Sequence, residues 1–120
     1  MASQIKVKVS GVETTEKLMD ILEKKLAQVE RLLPKNANAV FEIELGKATK
    51  HHKTGKIFRA EANLSHGPML YRAVGTEETI EIAIDVMKNE LKSELRKNKT
   101  KRKDVARKGG RELKRRVRGV

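Results

Sequence analysis

The apolar residues of this chain switch between two spacings, and that succession constrains the fold more than any other feature. Ile5, Val7 and Val9 alternate with Lys6 and Lys8, the period of two expected of a strand with one face on a core. Ser10-Gly11 breaks the run, and Leu18, Ile21, Leu22, Leu26, Val29, Leu32 and Leu33 then recur at helical spacing. Thr14 or Thr15 is placed to cap this helix, with Glu16 in its first turn. Pro34 sets its end near Leu33, because the residue before a proline is biased away from helical geometry. A second alternation, Phe41, Ile43 and Leu45 against Glu42 and Glu44, leads into a polar loop from Gly46 to Gly55. A third strand reads Phe58, Ala60, Ala62 and Leu64 against Arg59, Glu61 and Asn63. After the turn His66-Gly67-Pro68 a fourth covers Met69 to Val74, with Met69, Tyr71 and Ala73 inward so that Arg72 meets water. Gly75-Thr76 then opens a second helix, with Thr76 as its cap, Glu77 and Glu78 in its first turn, and Ile80, Ala83, Ile84, Met87, Leu91 and Leu95 as its apolar stripe.

The spacing therefore predicts an α+β fold of order β-α-β-β-β-α. The first strand-helix-strand unit joins parallel strands by a right-handed crossover, and the following connections are short enough for antiparallel hairpins. One apolar face per helix places both helices on the same side of a four-stranded mixed sheet. Its other face is then open and polar, carrying Lys6, Lys8, Glu42, Glu44, Arg59, Glu61 and Asn63.

After Lys97 the apolar period fails. Residues 1–97 are expected to form one domain and residues 98–120 a basic tail, disordered when free, because so few apolar side chains cannot offset the entropy of ordering it. Charge divides at nearly the same point. Residues 1–95 hold 15 basic and 14 acidic side chains; residues 96–120 hold 13 and 2. A near-neutral body with a tail of net +11 suits a polyanionic partner. Phe41, Phe58 and Tyr71 are the whole aromatic set, which argues against recognition by stacking splayed bases. Without cysteine there is neither a disulfide framework nor a thiolate zinc site. The start of the chain shows no apolar stretch of a secretory leader, and no apolar run reaches the length of a membrane span.

His51 and His52 form a poor chelating pair, since adjacent side chains in an extended loop point apart. With Lys50 and Lys53 they read as a hairpin tip that is solvated or touches phosphate; no metal site is expected. Glu42 and Glu44 share a strand face, but Lys6 and Lys8 offer ordinary cross-strand partners. No phosphate-cradling glycine loop and no placed nucleophile-base pair is legible, so neither an enzyme nor a cofactor is expected. Lys88, Lys92 and Arg96, four residues apart, share a helix face. On the residues alone this stripe reads equally as an RNA contact or as solvated surface suited to a helix C-terminus.

The pieces Phe41-Glu-Ile-Glu-Leu-Gly-Lys-Ala-Thr-Lys-His-His-Lys53, Phe58-Arg-Ala-Glu-Ala-Asn-Leu64, Leu70-Tyr-Arg-Ala73, Ala83-Ile-Asp85, Lys88, and Leu91 through Lys97, in this order and spacing, resemble the ribosome hibernation promoting factor and ribosome-associated inhibitor family. The resemblance runs over roughly residues 3–99. It implies a protein that lodges in the decoding groove of the small ribosomal subunit, contacts ribosomal RNA through basic helix faces, and reversibly inhibits translation by blocking messenger and transfer RNA. Carried onto this chain, it implies contacts by Lys24, Lys25 and Arg31 on the first helix and Lys88, Lys92, Arg96 and Lys97 on the second, continued by Lys99, Lys101 and Arg102. It further implies a cytoplasmic protein, monomeric when free, with no membrane or small-molecule partner. Many relatives carry a tyrosine where Glu81 stands, so the resemblance does not carry over one possible aromatic contact. Long members carry a second, ribosome-pairing domain; this chain is expected to be a short member. A general double-stranded RNA-binding module and a structural ribosomal protein are the competing classes, although the former begins with a helix rather than a strand like Ile5 to Val9.

Overall fold

A computed structural model describes residues 3–34, 38–48 and 57–97. The loop residues Lys50, His51, His52 and Lys53, the residues Lys99, Lys101 and Arg102, and the expected tail 98–120 lie outside these described residues. The elements are β1 (Gln4–Val9), α1 (Glu16–Glu30), β2 (Ala39–Lys47), β3 (Phe58–His66) and β4 (Met69–Glu77), followed by a helix α2 over 80–97. The strands form one sheet in the order β1-β2-β3-β4. β1 pairs parallel with β2, and the other two pairings are antiparallel. The expected order and mixed sheet are both present.

Register follows the apolar pattern. Ile5, Val7 and Val9 stand opposite Phe41, Ile43 and Leu45, and Leu64, Ala62 and Ala60 continue the same rows across β3. This face meets Leu18, Leu22, Leu26 and Val29 of α1 and Ile80, Ala83, Ile84, Met87, Leu91 and Leu95 of α2 in one buried cluster. The β3–β4 hairpin turns at Gly67-Pro68, where Gly67 has a φ of 60°. That value suits glycine at the first central position of a two-residue hairpin loop.

Four boundaries and burials differ from the sequence expectation. α1 ends at Glu30 rather than near Leu33, because Leu32 N–H donates to Val29 O and Leu33 N–H to Glu30 O, tightening the chain into i→i+3 turns before Pro34. Thr15 is its cap, with the Thr15 hydroxyl accepting from Leu18 N–H at 3.1 Å. Thr76 is not the cap of α2: β4 continues to Glu77, placing Glu77 ahead of the helix. The cap is Thr79, which accepts Ile82 N–H at 3.1 Å; Thr76 is held instead by pairing opposite Arg59. Finally, Ile5 and Val7 face the helix side but stay 37% and 38% exposed, since β1 is an edge strand that the helix layer does not cover.

The helix layer is displaced toward the other edge. Beside the larger Leu64 and Tyr71, four inner-face residues of β3 and β4 are small: Ala60, Ala62, Ala73 and Gly75. A Cβ added at Gly75 would lie 2.3 Å from Ala83 O and 2.9 Å from Met87 N, so the backbone of α2 rests on β4. Replacing Gly75 with alanine is expected to cost at least about 1–3 kcal/mol, the usual range for forced overpacking. Urea unfolding of Gly75→Ala measures this, and an unchanged midpoint would show that α2 does not depend on this contact.

Candidate nucleic-acid interface

Strand directions fix the helix directions. α1 returns from the end of β1 to the start of a parallel β2, so it runs against both strands. β4 is parallel to β2 through two antiparallel steps, and α2 packs back along it. The two helices therefore run side by side in the same direction.

Their facing flanks are identified by one ion-pair cluster. Asp85 Oδ1 on α2 lies 2.8 Å from Lys25 Nζ on α1 and 3.2 Å from Lys88 Nζ one turn onward. The hydrogen bond from Lys25 holds the Asp85 carboxyl below its usual range; partial burial opposes this, and the hydrogen bond and charge of Lys88 add to it. Lys88 is 7% exposed, so its ammonium is paired rather than presented to a partner. Asp85 thus ties α1 to α2 and absorbs charge from two residues expected as RNA contacts.

With 3.6 residues per turn, the flank of α1 that carries Lys25 also carries Lys17 and Gln28, with Lys24 and Arg31 at its outer rim. The flank of α2 that carries Asp85 also carries Glu81, Lys88, Lys92 and Arg96. Lys24 and Arg31 are exposed, as is Arg96, and Lys92 is half-buried. Lys17, Lys24, Arg31, Lys92 and Arg96 make no ion pair with another described residue. The fold therefore gathers Lys24, Lys25, Arg31, Lys88, Lys92 and Arg96 along one interhelical groove. Lys97 falls on the opposite flank of α2 and lies 3.4 Å from Glu94. Lys17 is a groove cation that the sequence reading passed over; its seven-residue spacing from Lys24 is the signal that places it there.

The open sheet face is charged but largely neutralised from within. Lys8 reaches Glu44 at 4.0 Å, as their cross-strand placement predicts. Glu61 accepts from Arg59 at 2.9 Å and from Arg72 at 2.7 Å. Burial pushes the Glu61 carboxyl up, but the hydrogen bond and charge of Arg59, then those of Arg72, outweigh it and hold the group below its ordinary value. Among the described residues no group of three or more His, Cys, Asp or Glu is placed to hold a metal ion.

The family model for the Sigma 54 modulation protein / S30EA ribosomal protein family matches residues 5–103. Two solved structures share the fold. One is the Protein Y N-terminal domain of Thermus thermophilus, with 23% identity, a TM-score of 0.63, and coverage of 81% of this chain and 98% of that one. The other is a ribosomal subunit interface protein from Coxiella burnetii, with 18% identity, a TM-score of 0.64 and the same coverage. Among curated proteins none matches.

The Asp85 cluster yields a pH-dependent prediction. Because the folded-state value of Asp85 is lowered, its contribution is complete above the unfolded carboxylate range and is lost as pH falls through the folded value. Asp85→Asn is expected to lower stability by about 1 kcal/mol near neutrality, the scale for partly exposed pairs. The wild-type and variant unfolding midpoints should converge at acid pH. Curves that stay parallel over the whole range would deny Asp85 this role.

Proposed function

The chain belongs to the sigma 54 modulation / S30EA ribosomal protein family, and we propose that it is a ribosome hibernation factor that occupies the decoding groove of the small subunit and reversibly blocks messenger and transfer RNA. The observation that carries this reading is the distribution of cations that have no ion pair among the described residues. The open sheet face pairs Lys8, Arg59 and Arg72 with Glu44 and Glu61 and leaves Lys6 as its one cation without an ion pair to a described residue, whereas Lys24, Arg31, Lys92 and Arg96 line the groove between two parallel helices. A groove with cations on both walls fits a phosphate backbone lying along it, and phosphate contacts of this kind fix position on RNA without reading sequence. Shape and charge then act in place of stacking, in keeping with the small aromatic set. Lys25 and Lys88 set the groove's geometry through Asp85, and residues 98–120 add phosphate contacts beyond the folded domain. Inhibition by occupancy needs no bond made or broken, and so neither catalytic group nor cofactor.

Co-sedimentation with ribosomes across a salt series tests the reading, with and without excess messenger and transfer RNA. The wild-type protein should bind near-stoichiometrically and be displaced by those RNAs. A variant with Lys24, Arg31, Lys92 and Arg96 all changed to glutamine should lose about 3–4 units from the slope of log K against log salt. A chain ending at Lys97 should still bind, more weakly. Binding that ignores the competing RNAs, or that vanishes with residues 98–120 alone, would overturn the decoding-groove reading in favour of a nonspecific polyanion binder.

A further inference from the structure

α1 carries its two signs of charge on opposite flanks. Lys17 and Lys25 lie toward α2, with Lys24 and Arg31 at the outer rim beside Asp20; Glu16, Glu23 and Glu30 lie on the flank turned away from it. α2 rests on β4, at the far edge of the sheet from β1. The acidic flank of α1 therefore borders the β1 edge. None of its three carboxylates makes an ion pair with another described residue.

That edge is open in two respects. Ile5 and Val7 stay more than one third exposed although they point to the helix side. Their outward backbone groups have no strand partner among the described residues either. Ser10 N–H donates to Leu45 O at 2.9 Å, so the alternation of a parallel ladder turns Lys6 and Lys8 toward β2 and turns the N–H and C=O groups of Ile5, Val7 and Val9 outward. Free ladder groups, an uncovered apolar strip and a carboxylate wall thus meet along one line.

We propose that this edge is a second docking surface, which takes an extended polypeptide segment of a partner protein with lysine or arginine at alternate positions. Such a segment adds a fifth strand beside β1, with its main chain satisfying the outward groups of Ile5, Val7 and Val9. Period-two geometry puts all of its basic side chains on the helix side. Their aliphatic stems cover Ile5 and Val7 while their charged ends reach Glu23 and Glu30. The opposite side chains lie next to Lys6 and Lys8 and must be uncharged or acidic. RNA is repelled here by the same carboxylates, so the surface is distinct from the interhelical groove and the two can be filled together.

The test is a titration of the full chain with a synthetic peptide of alternating threonine and lysine. It is followed by backbone amide shifts and hydrogen exchange, with a threonine-glutamate peptide as control. The lysine peptide should shift and protect amides of β1 and shift Glu23 and Glu30, and the control should do neither. Glu23→Lys with Glu30→Lys should weaken peptide binding about tenfold or more. Since both residues are on the surface of α1, that variant should unfold like the wild type and still co-sediment with ribosomes. Undiminished peptide binding by the variant would overturn the proposal. So would shifts confined to other regions, or outward β1 amides already protected before peptide is added, which would show the edge filled by this chain itself or by a second copy.

Discussion

The placement of everything above the sheet depends on one close approach, between the backbone of α2 and Gly75 of β4. An added Cβ there would collide with Ala83 O, so glycine sets how near the helix comes. Ala60, Ala62 and Ala73 extend the shallow floor on which α2 lies. With α2 seated at that side, α1 is placed over the larger side chains of β2, Phe41, Ile43 and Leu45, and its Lys25 comes within reach of Asp85. The uncovered strip on β1 is the other consequence of the same shift. Two helices drawn toward β4 leave the far strand with its inner face in contact with water.

Helix direction then converts residue spacing into surface charge. Because β1 and β2 are parallel and β4 also runs parallel to β2, both helices run the same way. Basic residues late in one are thus level with basic residues late in the other. In an antiparallel pair, Arg31 would face the acidic start of α2, around Glu81, and the groove would neutralise itself. The basic groove is therefore a property of the sheet's topology as much as of its lysines.

The fold was largely legible in the chain, because strict alternation in β2 and β3 and the helical recurrence in α1 admit no competing period. The errors lie where local signals compete. Gly75-Thr76 has the chemistry of a helix start, yet pairing of β4 with β3 carries the strand past it and passes the cap to Thr79, which has the same chemistry three residues later. The apolar residues of β1 announced a strand but not its exposure, since coverage depends on where the helices sit and no local pattern encodes that. For the site, the face of each cation followed from helical period, but the pairing of Lys25 with Asp85 did not. That contact joins elements separated by three strands. Lys88 and Lys92 look alike in sequence, and only packing separates a buried, paired lysine from a half-buried one.

Burial also explains why Lys88 has a carboxylate partner. An exposed cation about 10 Å from another in water feels roughly 0.4 kcal/mol of repulsion, and physiological salt screens most of that. Holding Lys24, Arg31, Lys92 and Arg96 near one another thus costs the free protein little. Taking an ammonium out of water without a counter-charge costs far more, and Asp85 stands where Lys88 is enclosed. Glu61 obeys the same rule with the signs reversed: a buried carboxylate on an otherwise open face is held by Arg59 and Arg72. Where side chains are exposed on the facing flanks of the helices no such requirement acts, and the cations there remain available to a phosphate backbone.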